Sequence, residues 1–234
     1  YGLAYDVGTT KLACYLVDLH DGRLLASASS HNPQSKFGED VLSRVRYTME
    51  GYDRVLELQR LVVGEMNRLA DEVCRKADVD VGDVCEVVAV GNTVMHHILL
   101  GLSPKSLGAS PYAPTTREAV TVRAVELGLK TGPETRVYMP PVVAGFIGSD
   151  AVADVVSSGM HKGGEIRLLI DVGTNTEIIL GNREHLIACS CASGPALEGG
   201  HISCGMRAVE GAIEAVWIDE DTLDLSLIHI SEPT

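Results

Sequence analysis

Short apolar segments open the chain, and a long segment with helical spacing follows them. Residues 2–6, 11–18 and 24–30 are rich in apolar side chains and separated by turn signals, which predicts an antiparallel meander of three strands. From about 53 to 77, apolar residues recur at spacings of three and four, which predicts one amphipathic helix. Its apolar positions are Val55, Leu58, Leu61, Val62, Met66, Leu69, Ala70 and Val73.

The pattern then alternates between strands and helices. The continuous apolar run at 85–92 predicts a buried strand of the parallel type, and 93–101 is typical of a helix. Prolines make 102–116 a loop, after which 136–143 predicts a strand and 147–160 a helix. Strands that alternate with helices in this way indicate an α/β fold.

After residue 164 the opening order begins again as strand, turn, strand, turn, strand. Both copies contain Asp-Val-Gly-Thr, in YDVGTTKL (5–12) and in IDVGTNTE (170–177). A tight turn that was reused by chance would not restart the whole meander, so we interpret the repeat as two related lobes. The complete first lobe is expected at 1–165, and the beginning of a truncated second lobe at 166–224.

Each Asp-Val-Gly-Thr turn has the composition of a phosphate-binding loop. Gly8 and Gly173 permit close approach of the backbone and a positive φ, so that successive N–H groups can line one concave side. Further hydrogen-bond donors are Thr9, Thr10, Thr174 and Asn175. Two such loops could hold nucleotide phosphates from opposite sides of a cleft and make its closure depend on the terminal phosphate.

Asp6 and Asp171 stand two positions before these glycines. A carboxylate repels bare phosphate, so both residues make chemical sense beside a hydrated Mg²⁺, which prefers oxygen ligands and keeps several waters. The alternative for each is a turn-capping role through a side-chain oxygen. We expect both to be catalytic and to bind Mg²⁺ directly or through water.

Composition restricts the partners. The formal net charge of −13 argues against nucleic acid and against an anionic membrane surface, because both attract clustered lysine and arginine. A nucleotide stays compatible with this charge, since backbone N–H groups alone can bind its phosphates. The sequence contains no signal peptide and no apolar run near about 18 residues, so we expect a cytoplasmic protein.

The 6 cysteines lack the spacing of a metal site, which favours buried or semi-buried free thiols in a reducing cytoplasm over a metal or disulfide role. Residues 225–234 (LSLIHISEPT) match, codon for codon, the translation of a transposon-type sequencing adapter, so we expect them to be a non-native tail. The chain begins with Tyr1 rather than methionine, and we expect native sequence upstream of it.

The two loops in their repeated context resemble the superfamily of actin, sugar kinases and heat-shock chaperone ATPases, whose lobes are ribonuclease H-like. Asp6–Thr10 matches the first phosphate loop of that superfamily, and Asp171–Thr174 matches the second. The resemblance implies ATP and Mg²⁺ as cofactors. The glycine-rich adenosine motif of the superfamily has no counterpart in this sequence, as a truncated second lobe would explain.

Four blocks extend the resemblance to the ATPase domain of the reductive activators of corrinoid proteins. They are NPQSKFGEDVLSRV, GNTVMHHILLGLSP, DVGTNTEI and ASGPALEGGHISCGMRAVEGAI. The resemblance implies ATP hydrolysis that drives an uphill one-electron reduction of cob(II)amide to cob(I)amide on a corrinoid methyl-carrier protein. It also implies a plant-type [2Fe-2S] domain N-terminal to this sequence. One departure is Thr176, where the family pattern has glycine.

Four further positions are candidates with an open alternative. Asp150 opens a helix after a strand, where kinases of the superfamily keep a polar residue that orients the attacking group, but a plain N-cap is equally open. Asn92 follows a buried strand, the usual place for ligand contacts, and a helix cap is the alternative. His96 and His97 diverge on a helix, which favours a core or interface role over metal binding.

Two loops complete the set of candidates. One is polar and either closes over the cleft or is simply solvated; its residues are Gln34, Gly38, Asp40 and Arg44. The other, SGPALEGG (193–200), offers backbone contacts beside the nucleotide or forms a flexible turn; its glycines are Gly194, Gly199 and Gly200. A helix predicted over 206–216 favours a structured loop at a helix start.

Three rival functions stay open. A small-molecule kinase of the same superfamily would use Asp150 as a base. An activase of radical dehydratases would need a cluster-binding cysteine, for which Cys204 is the candidate. A nucleotide-gated binding module would need no chemistry on a second substrate. An upstream Cys-x4-Cys-x2-Cys pattern would favour the corrinoid activator. The sequence leaves open the corrinoid partner, the electron donor and whether a homodimer forms.

Overall fold

The computed structural model describes residues 1–194, 203, 213–218, 222 and 225–229. The chain divides into two compact units. The first unit comprises Tyr1–Asp171 and Glu177–Ser190, and the second comprises Val172–Thr176 and Cys191–Thr234.

The first unit contains a six-stranded sheet that opens with the predicted meander. Its strands are β1 (Gly2–Val7), β2 (Lys11–Val17), β3 (Leu24–His31), β4 (Glu86–Val90), β5 (Val120–Arg123) and β6 (Arg136–Met139). The strand order is β3-β2-β1-β4-β6-β5. β1, β2 and β3 pair antiparallel, whereas β4 lies parallel to both β1 and β6. β5 pairs antiparallel with β6 and forms the far edge.

Helices follow the strands in the predicted alternation. They are α1 (Val41–Thr48), α2 (Tyr52–Lys76), α3 (Thr93–Leu99), α4 (Ala124–Leu127) and α5 (Ser149–Ser158). Short 3-10 turns lie at Pro33–Phe37, Val81–Asp83 and Lys105–Gly108. Within the described ranges, none of the helices is both long enough and apolar enough to cross a bilayer.

The long helix α2 packs against β2 and β3 and supplies much of the core. All of its predicted apolar positions are buried except Leu61, which is partly exposed. Across the interface lie the buried side chains of Leu3, Tyr5, Leu12, Cys14 and Leu16. The hydroxyl of Tyr5 donates to the carbonyl oxygen of Met66 at 2.9 Å, which satisfies a polar group that would otherwise be costly to bury.

The prediction for β4 is correct in its parallel pairing but not in the extent of burial. Val87 and Ala89 are fully buried, whereas Glu86 and Val88 on the opposite face are exposed. The strand therefore buries one face only, although its apolar run is typical of strands that are covered on both faces.

A three-stranded sheet follows α5. Its strands β7 (Arg167–Val172), β8 (Asn175–Gly181) and β9 (Leu186–Ala192) lie in the order β7-β8-β9, as the restarted meander predicts. In the first unit, Ile147, Ala151, Met160 and Ile179 form a small core beneath it. In the second unit, β10 (Ile213–Ile218) pairs antiparallel with β11 (Leu225–His229).

The helix predicted over 206–216 is wrong at 213–216, because these residues belong to β10. The short sequence Ile213-Glu214-Ala215-Val216 has three apolar residues and one charged residue, and this pattern suits a strand as well as the end of a helix. Residues 206–212 lie outside the described part. The assignment of 225–234 to a non-native tail and the boundary between 1–165 and 166–224 stay predictions.

Gly148 occupies a position where a side chain has no room. A Cβ there would lie 2.4 Å from both the Cα of Asn92 and the carbonyl oxygen of Gly91. We expect Gly148→Ala to lower the free energy of unfolding by about 2–3 kcal/mol, because backbone atoms must shift. The control is Gly64 in α2, where a Cβ meets nothing within 4 Å.

Gly64→Ala should raise the free energy of unfolding by about 0.5–1 kcal/mol through helix propensity. Urea unfolding of both variants measures the contrast. A Gly148→Ala protein as stable as the wild type would contradict the close packing at this position.

Candidate functional site

The first Asp-Val-Gly-Thr turn connects β1 to β2. Gly8 does not take a positive φ, so that part of the prediction is wrong. Glycine is required there for close approach, because a Cβ would lie 2.6 Å from the carbonyl oxygen of Lys11. Thr9 is buried, and its hydroxyl accepts a hydrogen bond from the side-chain amide of Asn92 at 2.8 Å.

Asn92 links this turn to the end of β4. Its Oδ1 accepts from the N–H groups of Val94 and Met95 at 3.1 and 3.0 Å, and it is therefore the N-cap of α3. The same side chain donates to Thr9, so the cap also ties α3 to the first turn. A direct contact between Asn92 and a ligand stays a prediction.

Five carboxylates of the first unit influence one another electrostatically. They are Asp6, Asp150, Asp154, Asp171 and Glu177, and we call them the acidic cluster. They come from β1, α5, β7 and β8, so the fold gathers charges that are distant in the chain. Asp6 and Asp171 were expected from the repeated motif, and Asp150 from its helix start.

The surroundings of Asp6 and Asp150 disfavour their charged forms. Burial raises the pKa of Asp6 to about 6; the charges of Asp171 and Asp154 add to this, and Lys11 opposes it. Asp6 is nevertheless exposed to solvent, so the protein groups around its carboxylate do not remove it from water. Burial also raises the pKa of Asp150 to about 7. The hydrogen bond from the N–H of Ala151 lowers this pKa, and the neighbouring carboxylates raise it further.

Asp150 is not the N-cap of α5, because Gly148 occupies that position. Asp150 lies in the first turn, and its Oδ1 accepts from the N–H of Ala151 at 2.8 Å. With a pKa near 7, its carboxylate can accept a proton at neutral pH, as a general base must. The plain N-cap alternative is therefore wrong, and the catalytic role stays a prediction.

Asp154 and Glu177 are members of the cluster that the sequence reasoning missed. The pKa of Asp154 is raised by burial, by the charge of Asp171 and by a hydrogen bond between the side chains of Asp154 and Asp171. Glu177 is 5% exposed; burial raises its pKa, and a 2.8 Å hydrogen bond from the hydroxyl of Ser190 opposes the rise. Two features of the sequence could have indicated them. Asp154 stands four residues after Asp150 and so lies on the same face of a helix, and Glu177 is a charged residue inside the apolar strand β8.

The acidic cluster has the chemistry of a cation site. Carboxylate oxygens are the ligands that Mg²⁺ prefers, and neighbouring carboxylates add to the effect of burial in raising the pKa of Asp6 and Asp150. Among the described residues, no group of three or more His, Cys, Asp or Glu side chains is arranged to hold a metal ion directly. Mg²⁺ binding at the acidic cluster stays a prediction.

The second Asp-Val-Gly-Thr turn lies in the second unit after Asp171. Gly173 lacks a positive φ, and its N–H donates to the carbonyl oxygen of Asn175 at 3.1 Å. The carbonyl oxygen of Thr174 accepts from the N–H groups of Ser193 and Gly194 at 3.2 and 2.9 Å. Gly194, at a φ of 73°, thus lies against this turn, whereas Gly199 and Gly200 lie outside the described residues.

Thr176, at the position where glycine was expected, forms a hydrogen bond through its side chain. Its hydroxyl forms a hydrogen bond with that of Ser193, and only 8% of the residue is exposed. The departure from glycine thus adds a tie between the second turn and Ser193 within the second unit.

The polar loop after β3 is solvated at Asp40 and buried at Gln34 and Arg44. Gln34 and Arg44 have 0% exposure, so they neither close over a cleft nor lie in solvent. Asp40 is the N-cap of α1 and accepts from the N–H of Ser43 at 2.7 Å. Gln34 and Arg44 thus form a buried support behind the first turn.

The remaining predictions concern the paired histidines and the cysteines. His96 and His97 are buried, and the Nδ1 of His97 lies 2.7 Å from the carbonyl oxygen of Thr93. The core role is confirmed, and burial lowers the pKa of His96 to about 4. Cys14 and Cys74 are buried free thiols, as expected, whereas Cys85, Cys189 and Cys191 are free thiols on the exposed surface. Cys204 lies outside the described residues.

The raised pKa values predict how stability depends on pH. The native state binds protons more tightly at Asp6 and Asp150 than the unfolded chain, whose aspartates titrate near about 3.9. Between roughly pH 4 and 7 the native state therefore holds more protons, and the free energy of unfolding should fall as the pH rises. Thermal melts from pH 4.5 to 8 in a chelator measure this slope.

Asp150→Asn should flatten the slope, and Asp71→Asn, on the exposed surface of α2, should leave it unchanged. Millimolar Mg²⁺ should restore stability mainly above pH 7, where the cluster is deprotonated. The same slope in Asp150→Asn and in wild type would contradict the raised pKa of Asp150.

A meander-led α/β sheet with a repeated Asp-Val-Gly-Thr turn defines an actin-like ATPase fold. Residues 1–163 match a family model described as the RACo middle region, and residues 165–234 match the C-terminal domain of RACo, the ASKHA domain. The chain belongs to the RACo family.

Curated relatives agree with this assignment. The chain is 36% identical over 233 residues to the corrinoid activation enzyme RamQ of Eubacterium limosum, which covers 100% of this chain and 39% of RamQ. It is 25% identical over 225 residues to the [Co(II) methylated amine-specific corrinoid protein] reductase of Methanosarcina barkeri, with 91% of this chain and 40% of the reductase covered.

A solved structure also supports the fold. The reductive activator for corrinoid, iron-sulfur protein matches with a TM-score of 0.88 at 38% identity, over 97% of this chain and 36% of that one. The chain therefore spans about two fifths of the length of the curated relatives it matches. The resemblance to reductive activators of corrinoid proteins is confirmed.

Proposed function

We propose that the chain is the ATP-binding and ATP-hydrolysing part of a reductive activator of corrinoid proteins. In the complete protein, ATP would drive the one-electron reduction of cob(II)amide to cob(I)amide on a corrinoid methyl-carrier protein. The observation that carries the proposal is the match to a corrinoid activation enzyme at 36% identity over the whole chain. The acidic cluster beside the first Asp-Val-Gly-Thr turn supports it with chemistry suited to Mg²⁺ and phosphate.

The first turn is assigned to the phosphates of ATP. Gly8 allows the backbone to approach closely, and the N–H groups and side chains of Thr9 and Thr10 donate hydrogen bonds. We assign phosphate contact also to Asn92, and to the glycines and polar residues after Asp171. These are Gly173, Thr174, Asn175, Gly194, Gly199 and Gly200.

Asp6 and Asp171 are assigned to Mg²⁺, directly or through water. When bound, Mg²⁺ neutralises charge that develops on the transferred phosphoryl group. Asp150 is assigned to the attacking water: it orients the water and accepts its proton as ATP and water become ADP and phosphate. The enclosure that raises the pKa of Asp150 to about 7 makes its carboxylate a stronger base than an exposed aspartate.

Hydrolysis can drive reduction only through differential affinity. ATP shifts the complex with the corrinoid protein if it binds one conformation more tightly than the other. The electron itself must come from another group, and among the described residues no set of cysteines is arranged to hold an iron–sulfur cluster. The [2Fe-2S] group is expected in a domain N-terminal to this sequence, as the resemblance to the reductive activators implies.

The corrinoid protein is the proposed partner, and the proposed location is the cytoplasm. A homodimer stays an open expectation. The small-molecule kinase stays the second candidate, because a base at Asp150 would serve a substrate hydroxyl as well as water.

Stimulated ATP hydrolysis separates these functions. Phosphate release by the complete protein is measured with Mg²⁺-ATP alone, with a corrinoid protein and with a panel of sugars and carboxylates. We expect stimulation by the corrinoid protein in its cob(II)amide state and no phosphorylated sugar. Phosphorylation of a small molecule without stimulation by the corrinoid protein would favour the kinase and overturn the proposal.

A further inference from the structure

A buried polar group lies behind the first Asp-Val-Gly-Thr turn. It consists of Asn32, Gln34 and Arg44, and we call it the loop bracket. All three residues have 0% exposure, which is unusual for an arginine. Such burial of polar side chains is expected only where their hydrogen bonds are satisfied.

The loop bracket binds the carbonyl oxygens of three consecutive loop residues. The side-chain amide of Asn32 donates to Gly8 and its backbone N–H donates to Thr10, both at 2.8 Å. The Nη2 of Arg44 donates to the carbonyl oxygen of Thr9 between them. In a trans peptide, C=O and N–H point in opposite directions. The bracket therefore directs the N–H groups of Thr9 and Thr10 to the side away from itself.

The remaining donors of Arg44 are also used. Its Nε donates to the carbonyl oxygen of Gly38 at 3.0 Å, and its Nη1 donates to the Oε1 of Gln34 at 3.1 Å. Gln34 is held in turn, since its Nε2 donates to the carbonyl oxygen of Leu58 at 3.0 Å. The bracket thus fixes the loop to α2 through neutral acceptors.

Arg44 keeps its charge without a salt bridge. Across the described residues, no carboxylate oxygen lies within 4.0 Å of its guanidinium nitrogens. Burial lowers its pKa to about 10, so it stays protonated at neutral pH, and Asp40 acts on it only at longer range. A buried cation that no carboxylate contacts is costly. Among the described residues, the hydrogen-bond acceptors of the guanidinium are neutral, and one of them is the carbonyl oxygen of Thr9 in the loop.

We propose that the loop bracket positions the first phosphate loop and that the charge of Arg44 favours the binding of polyphosphates there. The inference rests on the proposed function, since it takes the bound polyphosphate to be that of ATP. Arg44 touches the loop and not the ligand, so it acts as a positioning residue. Two effects are expected of it: it orients the amide donors, and it adds a positive potential that acts more strongly on a triphosphate than on a monophosphate.

The test compares the affinities of the complete protein for ATP and for AMP. The measured quantity is the ratio of the AMP dissociation constant to the ATP dissociation constant. In Arg44→Gln we expect this ratio to fall by at least about fivefold, and in Arg44→Lys, which keeps the charge, to stay within about threefold of wild type. A general loss of packing would weaken both nucleotides together and leave the ratio unchanged.

Thr135→Val is the matched structural control. Thr135 is buried, and its hydroxyl donates to the carbonyl oxygen of Val84 at 2.6 Å, before the start of β4 and so away from the loop. This variant should lose stability and keep the ratio. If Arg44→Gln does not fold, Asn32→Ser, which removes the tie to Gly8, must lower the ratio instead.

The outcomes separate this inference from the proposed function. A wild-type protein that does not bind ATP overturns both. A wild type that binds ATP, with a ratio unchanged in Arg44→Gln, or in Asn32→Ser where that variant is used, overturns the loop bracket alone.

Discussion

Asp171→Asn is expected to abolish ATP-driven activation of the corrinoid protein without lowering stability. Loss of a carboxylate that is proposed to hold Mg²⁺ should reduce the activation rate by about 100-fold or more. The charge of Asp171 raises the pKa of Asp6, Asp154 and Glu177, so removing it relieves repulsion in the native state. The melting temperature should therefore stay constant or rise.

The control for Asp171→Asn is Asp71→Asn, which removes the same charge from the exposed surface of α2. Activation is followed by the absorbance of cob(I)amide, and stability by thermal melting of the same preparations. Asp71→Asn should match wild type in both. Full activation by Asp171→Asn would show that this carboxylate is not part of the site.

Asp150→Asn is expected to separate chemistry from binding. The variant keeps the shape of the side chain but cannot accept a proton from water, so the turnover number for ATP should fall by about 10²–10⁴-fold. The dissociation constant for ATP should change little, because Asp150 is assigned to the attacking water and not to the phosphates.

Single-turnover hydrolysis and equilibrium binding measure the two quantities in Asp150→Asn separately. A parallel loss of affinity would mean that Asp150 serves Mg²⁺ or phosphate instead. Unchanged turnover would remove Asp150 from the catalytic assignment, whatever its pKa.

Elements with a strong local pattern could be predicted from the sequence. The helix α2 repeats its apolar spacing over many turns, and the meander β1 to β3 has clear turns between short strands. β5 and α4 have 4 residues each, too few to show a period, and they were missed. β10 was taken for a helix because its residues also suit one end of an amphipathic helix.

The candidate site could be predicted only where chemistry and motif coincide. Asp6 and Asp171 stand in a repeated motif, but nothing local to Asp154 or Glu177 shows that α5 and β8 bring them into the same cluster. Arg44 was assigned to a polar loop because arginine is rarely buried. Its burial depends on carbonyl oxygens of Thr9 and Gly38, which no side-chain pattern reveals.

The most direct test is the cobalt oxidation state itself. The complete protein is mixed with a corrinoid protein in the cob(II)amide state and an electron donor, and the paramagnetic Co(II) signal is followed with and without Mg²⁺-ATP. The account predicts that the signal disappears, as cob(I)amide forms, only when ATP is present and hydrolysed. Reduction at the same rate and to the same extent without ATP, or with a non-hydrolysable analogue, would contradict it.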